Sequence, residues 1–298
     1  MKTVMLAGVA VLDFVFSLPE FPTTPDKYRA DNASIVNGGN AANAAIAVSR
    51  LGGNARLAAR LGDDIVADMI VAGVEKNGVN CDLVRRFEEH RSSFSSILVD
   101  NHGERQIVNF RDGTLSMEPQ WLAQSMPEKF DVALGETRWP AGAKVLMQAA
   151  KERGVPGIMD GEVPIFEGED AIRAASHVAF SARAVKEFTG EENLEQAALA
   201  ADVKLDGKVY ATSGADGVIA IENGEVVHHP AFPVQAVDTL GAGDVWHAAF
   251  ALQIAEGADD ANAIRFANAA AAIKCTRQGG GSGAPDRKEV HEFLDQNV

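Results

Sequence analysis

From residue 132 onward the chain alternates short apolar runs with helix-length segments, and this rhythm restricts the possible folds more than any other feature. Val132–Leu134, Gly157–Asp160, His177–Ser181 and Lys208–Ser213 read as strands. Ala143–Arg153, Ala184–Phe188 and Leu194–Ala201 read as the helices between them. Strands separated by helices pair in parallel, and the crossovers cover both faces of the sheet. The expected class is therefore α/β: three layers, αβα, about a mainly parallel central sheet. Earlier in the chain, Val4–Leu12 reads as a first strand ending at Asp13, and Asn54–Leu61 as another. An Ala-rich helix opened by Asn37-Gly38-Gly39-Asn40 runs to about Leu51, and Asp63–Asn77 is a second helix. Val218–Glu222 and Glu225–His229 flank Asn223-Gly224, a hairpin signal, and helices follow at Val245–Glu256 and Asp260–Lys274.

Two stretches do not fit a parallel sheet. Residues 14–36 alternate loosely and contain Pro19, Pro22 and Pro25. Phe94–Val99 and Arg105–Phe110 flank Asp100-Asn101-His102-Gly103, another hairpin signal. Together they predict a small antiparallel flap, built from about 14–36 and 92–112. It would lie as a discontinuous lid over the strand ends, where open α/β sheets bind ligands. The chain, 1–298, is then expected to be a single domain.

A net charge of -15 argues against nucleic acid and anionic membranes as partners. An anionic ligand must be caught by local donors. The two cysteines, Cys81 and Cys275, give neither a disulfide framework nor a zinc pattern. The apolar N-terminus is short and interrupted by Asp13, so it reads as a buried strand, and a cytoplasmic protein is expected.

Chemistry is concentrated in Val237-Asp238-Thr239-Leu240-Gly241-Ala242-Gly243-Asp244. Gly241 and Gly243 permit a tight turn whose amides face an anion, and the following helix aims its positive end at the same place. Asp244 at that mouth weakens anion binding, so binding alone does not explain it. A carboxylate holding a hydroxyl beside a phosphoryl group does. The expectation is phosphoryl transfer to an alcohol, a loose transition state that positioning and charge stabilisation serve better than a strong base.

The loop 238–244 matches the signature of the ribokinase-like, phosphofructokinase-B family of sugar kinases. Gly38-Gly39-Asn40-Ala41-Ala42-Asn43 resembles that family's N-terminal signature, Gly8 with Asp13 its first-strand motif, and Thr212-Ser213-Gly214-Ala215-Asp216-Gly217 its nucleotide loop. The resemblance implies ATP and a sugar as ligands, magnesium carried by the nucleotide, and a ribokinase-like αβα fold with a β-lid. It implies Asp244 as catalytic base and the amides of Gly241, Ala242 and Gly243 as the anion hole. Asp13, Gly39, Asn40 and Asn43 would contact sugar hydroxyls; Thr212, Gly214, Gly217, Gly241 and Gly243 would hold the nucleotide, and Asn268 either lines the adenine pocket or is a satisfied helix-face asparagine. Arg277 with Gly279-Gly280-Gly281 would shape a site for a monovalent cation such as K+, as in some members. Edge strands invite pairing, so the lid offers a surface for a homodimer, and the sequence leaves monomer and homodimer both open. One departure stands out: where many members carry Asn-x-x-Glu before a Thr-Gly pair, Ser181 and Ala184 precede Thr189-Gly190. The metal ligands are therefore unknown.

Lys27-Tyr28, Arg105–Phe110, Glu136-Thr137-Arg138-Trp139 and Lys274–Gly280 resemble the branch that includes sulfofructose kinases. That resemblance implies Lys27, Asn109 and Arg138 as donors to a sulfonate on a ketose, suited to a three-acceptor anion. Neutral ketose kinases, ribokinase-type kinases and a non-catalytic sugar- or nucleotide-binding protein are the alternatives.

Overall fold

In the computed structural model, which describes residues 1–297, the chain builds two sheets. The larger holds β1 (Thr3–Ala7), β4 (Asn54–Gly62), β5 (Asn80–Phe87), β8 (Val132–Glu136), β9 (Gly157–Gly161), β10 (His177–Ser181), β11 (Lys208–Thr212), β12 (Val218–Glu222) and β13 (Glu225–His229). Its order is β13-β12-β11-β10-β9-β8-β1-β4-β5. The strands from β11 through β5 pair in parallel, and β12 and β13 extend the sheet in antiparallel fashion. The smaller sheet holds β2 (Val11–Ser17), β3 (Asn32–Gly38), β6 (Phe94–Val99) and β7 (Arg105–Phe110), in the order β3-β2-β6-β7.

Alternation along β1 explains the layering. Val4 and Leu6 face a core shared with α1 (Asn40–Arg50), α2 (Ile65–Lys76), α8 (Ala242–Glu256) and α9 (Asp260–Cys275). Met5 and Ala7 face the opposite core, with α3 (Gln120–Ser125), α4 (Pro140–Arg153), α5 (Glu169–Ala174), α6 (Ala182–Thr189) and α7 (Leu194–Lys204). A strand buried on both faces has no polar side, hence its continuous apolar run. Ala41, Ala42, Ala44, Ala45 and Ala47 are buried in α1, so this helix approaches its neighbours closely.

The first strand is shorter than its apolar run suggests. The predicted Val4–Leu12 strand is two strands in two sheets, broken at Gly8-Val9-Ala10. At the break the backbone packs against Glu136: a Cβ on Gly8 would lie 2.3 Å from Glu136 Oε1, and the Val9 amide donates to that oxygen at 2.9 Å. Asp13 thus lies inside β2 and not at a strand end. The small sheet is also mixed and not purely antiparallel, because β2 and β6 run parallel. Asp63 and Asp64 precede α2, and Asp64 caps it, accepting from the Ala67 amide. Elements without an expectation are β5, α3, α5 and α10 (Arg287–Gln296).

These connections position the site. Chain order reverses across β1, which pairs with β4 on one side and β8 on the other. Ligands of open α/β sheets bind outside the carboxyl ends of strands at such a switch point. The carboxyl ends of β1, β8 and β9 meet there with the amino ends of α1 and α8.

Candidate active site

Asp244 occupies the first turn of α8, half-buried. The helix begins at Ala242, three residues before the apolar run suggests, because Gly241 takes φ +75° and turns the backbone into it. A Cβ on Gly241 would stand 3.0 Å from the Gly280 Cα, so strain and a close approach both call for glycine. The three amides expected as an anion hole differ. That of Ala242 is partly spent on the Thr239 carbonyl, at 3.2 Å. Those of Gly241 and Gly243 have no backbone partner of that kind among the described residues.

Asn43, buried in α1, reaches across the site. Its Nδ2 donates to Asp244 Oδ2 at 2.8 Å, and its Oδ1 accepts from the Gly281 amide at 2.9 Å. Asn40, one turn earlier, donates to Asp160 Oδ2 at 3.2 Å. Gly39 caps this helix at φ +90°, and a Cβ there would meet the Val9 carbonyl oxygen at 2.6 Å. Asp13 is buried in the small sheet against Gly38, where a Cβ would lie 2.0 Å from its Oδ2. The two sheets therefore meet through glycines that leave room for these polar groups.

Residues absent from the sequence expectations complete the cluster. Glu136, at the end of β8, is buried and accepts from the amides of Val9 and Arg138. Asn40, Glu136, Asp160 and His247 line one pocket. The His247 ring is buried, with Nδ1 2.8 Å from the Gly243 carbonyl, Nε2 3.1 Å from the Ala179 carbonyl, and 3.6 Å to Asp160 Oδ1. Glu136 and Asp160 carry one signal in the sequence: each is the acid at or near the carboxyl end of a central strand. Without strand order, that signal does not say which strand ends converge.

Burial shapes the electrostatics. It pushes the Asp244 carboxyl up to about 7, with the charge of Asp160 adding to the effect and the hydrogen bond from Asn43 opposing it. Burial likewise pushes Glu136 up to about 7, against the Arg138 amide. Asp13 is raised by burial too, partly offset by Ser95. The result is a set of buried acids whose oxygens can accept hydrogen bonds.

Other expected residues lie further out. Thr212 ends β11, and Gly214 (φ +54°) and Gly217 (φ +93°) shape the turn beyond it. Asn268 is engaged within the protein: its Oδ1 accepts from Trp246 Nε1 at 2.8 Å and its Nδ2 donates to the Pro230 carbonyl at 3.0 Å. Lys27 and Arg138 are exposed, and no hydrogen bond joins Lys27, Asn109 and Arg138 among the described residues. Asn109 donates to Ser95 Oγ at 3.1 Å, and Ser95 is the register partner of Asp13. Ser181 caps α6, and Ala184 is buried beneath it. The acid beside Ser181 comes from the preceding strand end: Glu162 Oε1 accepts from Ser181 Oγ at 3.2 Å. Glu187 instead accepts from the Ile165 amide. Beside Arg277, whose segment was expected to shape a cation site, stands the Lys274 ammonium, which donates to the Asp238 carbonyl at 2.8 Å and the Arg277 carbonyl at 3.4 Å.

Comparison with known proteins agrees with this geometry. Residues 1–287 match the model of the pfkB family of carbohydrate kinases. Bacillus subtilis ribokinase is 28% identical, over 99% of this chain and 100% of that protein. A solved Agrobacterium tumefaciens structure, provisionally named a ribokinase, is 34% identical with a TM-score of 0.91, covering 99% of this chain and 98% of that one. Thermotoga maritima ribokinase is 27% identical with a TM-score of 0.85, covering 99% and 100%. The fold is accordingly that of the ribokinases, and the activity is ATP-dependent phosphoryl transfer to a carbohydrate hydroxyl. The chain belongs to the pfkB family of carbohydrate kinases.

Proposed function

We propose that the enzyme phosphorylates a primary hydroxyl of a neutral sugar, in the manner of a ribokinase, with ribose the first candidate. The observation that carries this reading is the acidic character of the site: the charge of Asp160 raises both Glu136 and Asp244, while Asn40 and Asn43 donate to Asp160 and Asp244. Carboxylates accept from sugar hydroxyls and repel an anionic substituent. The Bacillus subtilis and Thermotoga maritima relatives bear the ribokinase name.

In this reading Asp244 orients the acceptor hydroxyl and takes its proton late, as the oxygen begins to bond to phosphorus. The amides of Gly241 and Gly243 and the amino end of α8 receive the charge on the transferring group. Asp13, Gly39, Asn40 and Asn43 hold the sugar, joined by Glu136; Thr212, Gly214 and Gly217 border the nucleotide. Magnesium fits as a passenger on the nucleotide phosphates, since no three His, Cys, Asp or Glu side chains are grouped to hold a metal among the described residues. Bound there it would neutralise phosphate charge, and Glu162, beside Ser181, would be the acid of this chain that serves it. Tyr28, Ile35, Ile107 and Val108 are exposed on or near the small sheet, which suits a homodimer through it, as a mass measurement in solution would test.

A second reading, an anion-bearing sugar, has one observation in its favour. Arg60 is buried over Trp139, its Nε lacks a partner, and it feels both Arg111 and Glu136. A coupled assay with MgATP separates the two, using ribose, fructose, ribose 1-phosphate, fructose 6-phosphate and 6-deoxy-6-sulfofructose. The proposal expects a neutral sugar to exceed every anionic one in kcat/KM by about tenfold or more, a difference of roughly 1.4 kcal/mol in transition-state binding. Preference for the sulfonated or phosphorylated sugar would transfer the assignment to the second reading.

A further inference from the structure

Lys274 lies in the last turn of α9 with no exposed surface. An ammonium in such a place is costly unless oxygen atoms replace its water. Here they do: Nζ donates to the Asp238 carbonyl at 2.8 Å and the Arg277 carbonyl at 3.4 Å, and lies 3.4 Å from Asp238 Oδ2. Asp238 is itself fully engaged. Its Oδ1 accepts from the Leu240 amide at 2.9 Å and from Arg105 at 2.6 Å, and its Oδ2 from the Gly279 amide at 3.0 Å. The amides of Val237 and Asp238 donate to the Cys275 carbonyl.

The ammonium therefore joins two segments. Residues 237–240 lead into the glycine turn, and residues 275–281 pack behind it, where Gly280 abuts Gly241 and Gly281 donates to Asn43. Through Asn43 the same linkage reaches Asp244. The three polar atoms within reach of Nζ, the Asp238 and Arg277 carbonyls and Asp238 Oδ2, are all oxygen acceptors, which suits a small monovalent cation.

We propose that Lys274 is a positioning residue: a cation built into the chain that holds the glycine turn in its anion-binding shape and makes turnover independent of dissolved monovalent cations. This rests on the reading of the turn as the phosphate site. Lys274 replaces the potassium ion that the sequence led us to expect beside Arg277. Removing the side chain leaves an oxygen-lined cage that potassium or ammonium ions can enter, whereas tetramethylammonium is too large.

The experiment compares the native enzyme, Lys274→Ala and Lys274→Met in tetramethylammonium chloride, and again with potassium or ammonium chloride at equal ionic strength. Turnover is measured with whichever sugar the enzyme accepts, and thermal melting is measured without sugar. Native turnover is expected to be the same in all three salts. Lys274→Ala should lose about 10²-fold in kcat in tetramethylammonium, as displacement of a catalytic group by an ångström does, and recover about tenfold or more in potassium, saturably. Its melting temperature should rise with potassium, while those of the native enzyme and Lys274→Met, whose side chain fills the cage, do not. A native rate that climbs with potassium overturns the proposal. So does Lys274→Ala working at the native rate in tetramethylammonium, or losing activity that no small cation restores. If Lys274→Ala does not fold, the native salt series decides. Failure of the sugar-kinase reading would appear differently, as no turnover with any sugar beside an intact potassium-specific melting response.

Discussion

Asn43 Nδ2 donates to Asp244 Oδ2 at 2.8 Å across 201 residues of sequence. The same amide accepts from Gly281, so one side chain ties the first helix, the acid and the glycine segment together. The bond favours the ionised acid. Asn43→Leu removes it, and the acid limb of the kcat/KM profile should move to higher pH, with a rate loss of about 10- to 10²-fold at neutral pH. A pH–rate series checks this; an unmoved limb would show that the bond does not tune the acid.

The native enzyme should show that limb near 7, the value to which burial raises Asp244. Below it the acid is protonated and cannot accept the hydroxyl proton, so kcat/KM should fall about tenfold per pH unit. Stability has its own dependence. The folded pKa lies above the unfolded 3.8. The contribution of this acid to stability is full below the unfolded value and is lost as pH rises through the folded one. Asp244→Asn has no charge to bury, so without ligands it should melt higher than the native protein at pH 8, by roughly 2–4 °C for each kcal/mol relieved. The gap should narrow toward pH 5.

Asn268 is expected to matter for folding and not for nucleotide affinity. Asn268→Ala leaves Trp246 Nε1 buried without its acceptor, a loss of about 1–3 kcal/mol. Chemical denaturation measures the loss, and KM for ATP should be unchanged. A raised KM with native stability would return Asn268 to the nucleotide site.

Glu162 is expected to serve magnesium in place of the acid absent at Ala184. Glu162→Gln should raise the magnesium concentration needed for half-maximal rate by about tenfold, a typical effect of losing a group that orients a metal's ligands. A magnesium titration at fixed ATP tests it; an unchanged requirement would leave Glu162 as a partner of Ser181 and nothing more.

Much of this was legible in the sequence. The β8–β11 strands and their helices follow from periodicity, and Asn223-Gly224 announces its hairpin. Local pattern also brings out the glycine turn and Asp244, while Asn40 and Asn43 stand out through the family resemblance. The break at Gly8 was not legible, because the group that receives the Val9 amide there is Glu136, 127 residues away. Glu136 and Asp160 join the site through strand order, which no local pattern encodes, whereas His247 follows Asp244 by three residues on α8. The α10 helix did have a local signal, the Asp286 and Glu289 capping box, which pairs each side chain with the other's backbone amide. Lys274 looks like any lysine near a helix end until tertiary packing closes around it.

The central claim is that the Asp244 carboxylate steers the sugar hydroxyl onto the phosphoryl group. The most direct measurement is kcat for Asp244→Asn with saturating MgATP and the preferred sugar, with ATP affinity measured alongside. The account predicts a fall in kcat of about 10³-fold with ATP affinity close to native, within the range for loss of a positioned acid–base group. A variant that turns over within about tenfold of the native rate would contradict it.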